Sequence, residues 1–140
     1  MALPTRITLE IVTPDRAVVR EDVDELQVPG SEGYLGILPG HTPILASLKV
    51  GELWYRGGTE QHYLAIAGGF VEVLPDRVTV LAQVAERAQD IDVARAEESR
   101  KRAEERLAHA VPDIDFERAR VAMMKSLIRL QVASRPRTRV

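Results

Sequence analysis

Apolar and polar positions alternate through the first 84 residues of the chain. Ile7, Leu9 and Ile11 are separated by Thr8 and Glu10, the period of two that a strand shows when one face is buried. The same alternation returns at Leu26 and Val28, Leu53 and Tyr55, Leu64 and Ile66, Val71 and Val73, and Val78 and Val80. Turn formers punctuate these runs: Thr13-Pro14-Asp15, Pro29-Gly30-Ser31, Pro39-Gly40, Gly57-Gly58, Gly68-Gly69 and Pro75-Asp76. Many short, closely punctuated strands predict an antiparallel β-sandwich or flattened barrel over residues 1–86.

After Gln83 the period changes. Residues 87–110 and 116–133 are rich in alanine and free of glycine, and Pro112 with the acidic residues after it separates them. So short a connection predicts an antiparallel two-helix hairpin over 87–134, leaving 135–140 as a flexible basic tail. In the second helix Phe116, Ala119, Met123, Leu127 and Leu130 follow a three-four spacing. The first helix offers Ala96, Ala103, Leu107 and Ala110, with one large side chain among them. Because alanine buries little area, at about 25 cal/mol per Å² that helix gains little from packing. The spacing therefore predicts a weakly docked hairpin.

Each predicted helix is introduced by the same phrase: Asp-Ile-Asp-x-x-Arg-Ala occurs at Asp90–Ala96 and again at Asp113–Ala119. In either copy the second aspartate suits an N-cap, accepting from free amides of the first turn and complementing the positive helix end. Ile91 and Ile114 are placed to pack forward onto Ala96 and Ala119.

Charge divides the chain in the same place. Residues 1–85 carry 6 basic and 11 acidic side chains and residues 86–140 carry 13 and 10, so a net charge of -2 covers halves of -5 and +3. The basic residues are too dispersed for a nucleic-acid reader, with only the terminal SRPRTRV forming a short cluster. Zero cysteines exclude disulfides and thiolate metal sites. With no run of eighteen apolar residues and no apolar segment in the first ten, the expected setting is cytoplasmic. His41, His62 and His109 stand apart, without metal-binding spacing or a neighbouring nucleophile pattern. His41, after Gly40 in a turn, is open to proton transfer or to hydrogen bonding within a fixed loop. Gly33, Gly36 and Gly40 are not followed by Gly-Lys-Ser/Thr and do not form a phosphate loop.

The segment GSEGYLGILPGHTPILASLKVGEL, followed by AIAGGFVEV and IDVARA, resembles the epsilon subunit family of the bacterial and chloroplast F-type, proton-translocating ATP synthase. The likeness runs to about Ala133. It implies a sandwich that binds the rotating gamma subunit and the membrane c-ring, and a C-terminal hairpin that regulates hydrolysis beside the catalytic alpha/beta head. It also implies no catalytic centre, no required cofactor, and a place on the cytoplasmic membrane face held only through the complex. By resemblance, Ser31, Glu32, Gly33 and Tyr34 lie where the family touches the c-ring. Relatives often carry a second acid at the position of Tyr34, so a paired-carboxylate contact is not available here.

In several bacterial members the Ile-Asp-x-x-Arg-Ala motif helps bind ATP on the folded hairpin. Ile91, Asp92, Arg95 and Ala96 match it, Arg102 is a further match, and Lys125 and Arg129 fall where relatives place an arginine pair. Lys125 departs from that pattern, since an ammonium lacks the planar guanidinium fork and meets phosphate as a point charge. Read without the resemblance, Arg118, Lys125 and Arg129 form one line along the second helix, roughly opposite its apolar stripe, and suit either a solvated basic face or an anion site.

Overall fold

A computed structural model describes residues 3–109, 114–135 and 138–139. Eight strands come first: β1 (Ile7–Val12), β2 (Ala17–Val23), β3 (Glu25–Gly30), β4 (Gly33–Ile37), β5 (Ile44–Leu48), β6 (Gly51–Gly57), β7 (Glu60–Val73) and β8 (Arg77–Arg87). A single 3-10 turn at Ala88–Asp90 leads into α1 (Val93–His109), followed by α2 (Ile114–Ala133) and a two-residue strand β9 (Thr138–Arg139). The expected sandwich-then-hairpin order is the observed one.

The strands follow the order β2-β1-β8-β7-β5-β3-β4, and β6 bridges β3 and β7. Among the described residues all pairs are antiparallel except β1 with β8, the first and last strands of the sandwich, which run parallel. Alternation reports which face is buried and carries no strand direction, so this pair was not foreseeable.

The long strand β7 serves both layers. Its first half pairs with β6 and its second half with β5, while β8 accompanies both. The change of partner falls at Gly68 (φ 73°) and Gly69 (φ 118°). There the inward parity of both strands flips together: Leu64 and Ile66 give way to Val71 and Val73 on β7, and Val78, Val80 and Ala82 give way to Ala85 on β8. The core between the layers includes these residues together with Ile7, Leu9, Ile11, Leu26, Leu53 and the fully buried Tyr55.

Leu64, Ala65, Ile66 and Ala67 are buried in succession. A strand buried on both faces loses its alternation, and here the second cover is α2. Alanine at 65 and 67 keeps that outer surface low enough for a helix to approach. Ile91 and Val132 close over Ala65, with Ile128, Tyr63, Ala88 and Ala133 around them. The hairpin thus lies folded against the sandwich through a small apolar cluster separate from the main core.

Three helical expectations need correction. The first helix starts at Val93 and not at residue 87, because Arg87 is still paired with Leu64 in β8 and Asp92 supplies the cap. Ile91 is buried with Ala65 and Val132, so it plugs the junction between sandwich and hairpin. In α2, Ala119 is buried but Leu127 is 48% exposed, and the buried set is completed by Ser126 and Val132. The helix has two neighbours, α1 and β7, so its covered surface is wider than one stripe and turned away from Leu127. Ser126 is accommodated because its hydroxyl donates to the Ala122 carbonyl at 2.9 Å. Ala110, Pro112 and Asp113 lie outside the described residues, as do the side chains of Ile114 and Asp115, and with them the cap and the forward packing expected at the second copy of the repeat.

Candidate functional site

The junction between β8, α1 and α2 gathers most of the residues singled out in the sequence. Asp92 Oδ1 accepts from the Arg95 amide at 3.0 Å, and its carbonyl accepts from the Ala96 amide at 3.0 Å, which fixes Asp92 as the N-cap of α1. Ala96 is fully buried in the seam with α2, while Arg95 is exposed. Arg102 is exposed on the same side about two turns further on, donating to Ser99 Oγ at 3.2 Å.

Lys125 and Arg129 come together on α2 at a crevice of about 50 Å³, walled by Val50, Ala65, Ala67 and Glu86. Arg129 is not part of a solvated face. Its Nη2 donates to Glu86 Oε2 at 3.1 Å, and its Nε lies 2.8 Å from Glu86 Oε1 without being aimed as a hydrogen bond. Arg118 is exposed, so the basic line divides into a solvated end and a paired end. Among the described residues no hydrogen bond or ion pair joins Arg95 or Arg102 to Lys125 or Arg129.

A second polar clamp lies at the far end of α2. Arg135, expected in a loose tail, donates from Nε and Nη2 to the two oxygens of Glu52 at 3.0 and 3.2 Å. Its guanidinium stands 5.4 Å above the Tyr63 ring. The hydrogen bonds and charge of Glu52 hold the Arg135 guanidinium above its usual pKa. Close by, Arg87 donates to the Tyr55 hydroxyl at 3.3 Å and to the Val18 carbonyl at 3.1 Å, and desolvation pushes the Tyr55 phenol up. Glu86, Glu52 and Arg135 were not picked out from the sequence. The available signal was Glu52 itself, an acid between Gly51 and Leu53 in a strand that is otherwise buried there.

Ser31 and Glu32 form the turn between β3 and β4, and Gly33 and Tyr34 open β4. Ser31 is tied to β5 through Ser47, amide to carbonyl at 2.9 Å and hydroxyl to hydroxyl at 2.7 Å. Glu32 projects into solvent, and Tyr34, 47% exposed, lies under the Lys49 ammonium at 5.2 Å. One acid and one aromatic ring are therefore presented together.

The outer face of β5, β7 and β8 sets exposed apolar side chains among polar ones, with Glu72 opposite Leu45 and Ser47 opposite Phe70. Phe70 (56% exposed) stands opposite Leu81 (55%), and Leu45 (74%) lies diagonally across on the neighbouring strand. Isolated exposed leucines are ordinary, but three large side chains on adjoining strands form a surface suited to a protein partner. His41 accepts the loop reading: its Nδ1 is 2.7 Å from the Thr42 carbonyl. Among the described residues no group of three or more His, Asp or Glu could hold a metal ion, and no helix is long and apolar enough to cross a membrane.

A β-sandwich with exposed aromatic and aliphatic side chains on one face, and a two-helix hairpin held on another by ion pairs and a small apolar cluster, is the architecture these residues define. Residues 6–88 match the family described as ATP synthase, Delta/Epsilon chain, beta-sandwich domain, and residues 89–134 match its long alpha-helix domain. The chain belongs to the delta/epsilon chain family of ATP synthase. It is 51% identical over 130 residues to the ATP synthase epsilon chain of Syntrophobacter fumaroxidans, covering 93% of this chain and 97% of that one. The epsilon chain of Koribacter versatilis is 56% identical over 104 residues, 74% of this chain and 73% of the relative. A chain of the Euglena gracilis mitochondrial ATP synthase, solved as an OSCP/F1/c-ring assembly, shares the fold with a TM-score of 0.82 at 21% identity, over 96% of this chain and 85% of that one.

Proposed function

We propose that this chain is a non-catalytic central-stalk subunit of a rotary ATP synthase. Its sandwich joins the gamma subunit to the c-ring, and its hairpin restrains ATP hydrolysis by leaving the sandwich and reaching the catalytic head. One observation carries this reading: the hairpin is attached through a cluster centred on Ala65, Ile91 and Val132 plus ion pairs, while the sandwich closes its own core without it. An element joined in that way can leave without unfolding its neighbour. The 20 residues of α2 make it about 30 Å long, so swinging it out carries its far end tens of Å. The Phe70, Leu81 and Leu45 face is the gamma contact in this reading, and the Glu32 tip is the c-ring contact. Recovery of the chain with gamma and the alpha/beta head in a pull-down tests the assignment; recovery alone, as for a free-standing adaptor, contradicts it.

ATP is the proposed ligand of the folded hairpin. A ligand that binds only the folded form stabilises it by mass action, favouring the non-inhibiting state when nucleotide is plentiful. In this scheme Asp92 orients the motif, and Arg95, Arg102 and Arg129 meet the phosphates with Lys125 as a less directional charge. Ile91 and Ala96, both buried, hold the motif in place from beneath. Ligand pockets of this kind measure roughly 300–1,000 Å³, against the crevice of about 50 Å³. Binding therefore requires the crevice to widen and Arg129 to exchange Glu86 for phosphate. Arg129→Ala is expected to weaken ATP binding to the isolated protein at least tenfold, roughly the value of one charge-assisted hydrogen bond, whereas Arg118→Ala changes little. Lys125→Arg restores the fork and is expected to tighten binding several-fold. Titration calorimetry measures all three, and no heat from wild type at millimolar nucleotide would remove ATP from the account.

A further inference from the structure

Glu52 is 8% exposed, and its carboxylate is satisfied by a residue 83 positions away that lies beyond the last helix. A carboxylate so far out of water is costly to keep charged unless it is paired, and both of its oxygens are met by the Arg135 fork. The approach of Arg135 is itself organised. The Ser134 amide donates to Leu130 and the Arg135 amide to Val132, turning the chain off α2 towards β6. Beyond it, the backbone of Thr138–Arg139 pairs antiparallel with Glu60–Gln61 on β7.

Beneath this crossing there is little packing. Arg135 stands at the rim of a cleft of about 400 Å³ whose wall includes Glu21, Gln61, His62, Tyr63 and Arg87. The hold is therefore directional and polar, without a large buried apolar area. When α2 lifts, Glu52 and Arg135 both regain water, which offsets much of what the pair loses. Such a contact selects one docked position strongly and still releases.

We propose that Arg135, seated on Glu52 and continued by β9, is a latch that holds the hairpin on the sandwich in the absence of any nucleotide. It acts at the opposite end of the docked α2 segment from the Lys125 crevice. The hairpin opens only when the apolar cluster around Val132, the Glu86–Arg129 pair and the latch are all free, so the latch adds to how much of the chain is docked before any ligand arrives. The regulatory consequence rests on the reading that a released hairpin inhibits hydrolysis; the latch does not.

The test is amide hydrogen exchange on the full chain without nucleotide, comparing wild type with Arg135→Ala, Glu52→Gln and the double variant. Each single substitution is expected to speed exchange of α2 amides near Ile128–Val132 by roughly tenfold, with Leu64 and Ile66 in the core unchanged. The double variant is expected to resemble the singles, since both remove one interaction. A chain ending at Ser134 gives the same result and leaves the Glu52 side intact, so a folding defect at position 52 does not obscure the outcome. Wild-type exchange in Arg135→Ala, or fully additive effects in the double variant, would overturn the latch. In the assembled enzyme Arg135→Ala is expected to deepen hydrolysis inhibition. Faster exchange with unchanged hydrolysis keeps the latch and overturns the inhibition reading.

Discussion

Gly69→Ala is expected to destabilise the sandwich by about 3–5 kcal/mol, enough to threaten folding outright in a domain whose total stability is of order 5–15 kcal/mol. Gly69 has φ 118°, a conformation that side-chain-bearing residues rarely adopt. A Cβ there would lie 2.0 Å from the Leu81 carbonyl oxygen and 2.8 Å from the Ala82 Cα. Both obstacles are backbone of the paired strand, so relief requires β7 and β8 to separate at the point where both turn. Gly68 provides the control. Its φ of 73° is also left-handed, but an added Cβ meets the end of the Gln83 side chain at 2.9 Å, which can rotate away. Thermal unfolding followed by circular dichroism should show a loss on the order of 15 °C or more for Gly69→Ala and a distinctly smaller one for Gly68→Ala. Equal losses would mean that the close approach of β8 is not what fixes glycine at position 69.

Phe70→Glu combined with Leu81→Glu should leave the fold intact and reduce affinity for gamma by a hundredfold or more. The two side chains face solvent in the free chain, so their exchange creates no cavity. Buried in an interface, each would replace apolar contact with a carboxylate that must be desolvated, and central aromatic anchors commonly account for ~2 kcal/mol or more of binding. The two positions oppose each other across β7 and β8, so the charges also repel one another. Surface-bound gamma titrated with wild type and the double variant measures the ratio. Retained affinity, with a native circular dichroism spectrum, would move the gamma contact to another face.

These two residues illustrate what periodicity supplies and what it withholds. Phe70 and Leu81 occupy the outward positions of alternating runs, and alternation alone cannot say whether an outward apolar residue meets water or a partner. The sandwich was legible because Ile7, Leu9 and Ile11, or Val78 and Val80, are buried on one side only. Doubly covered β7 was partly hidden, as Ala65 and Ala67 break the alternation by taking part in a second contact. The start of α1 is not legible locally, because Arg87 fits the end of a strand as readily as the beginning of a helix, and only its partner, Leu64, decides between them.

The candidate site was legible to the extent that it is local. Asp92 announces its cap by standing three residues before the amide it accepts from. Glu86 and Arg129 are 43 positions apart and Glu52 and Arg135 are 83 apart, so neither pair leaves a mark at helical or strand spacing. The helical count places Leu127 inward, but the helix has α1 on one side and β7 on another. A single stripe describes a helix with one neighbour.

If the hairpin restrains hydrolysis while the sandwich alone provides assembly, removing the hairpin separates the two roles. β8 extends through Arg87, whose side chain bonds Tyr55, so the shortened chain that preserves the sandwich ends at Ala88. ATP hydrolysis should be measured at low nucleotide in otherwise identical complexes carrying either the full chain or the chain ending at Ala88, with equal recovery on gamma. Equal incorporation and several-fold faster hydrolysis are expected with the shortened chain. Equal incorporation with the same hydrolysis rate would contradict the restraint, leaving the hairpin a structural appendage.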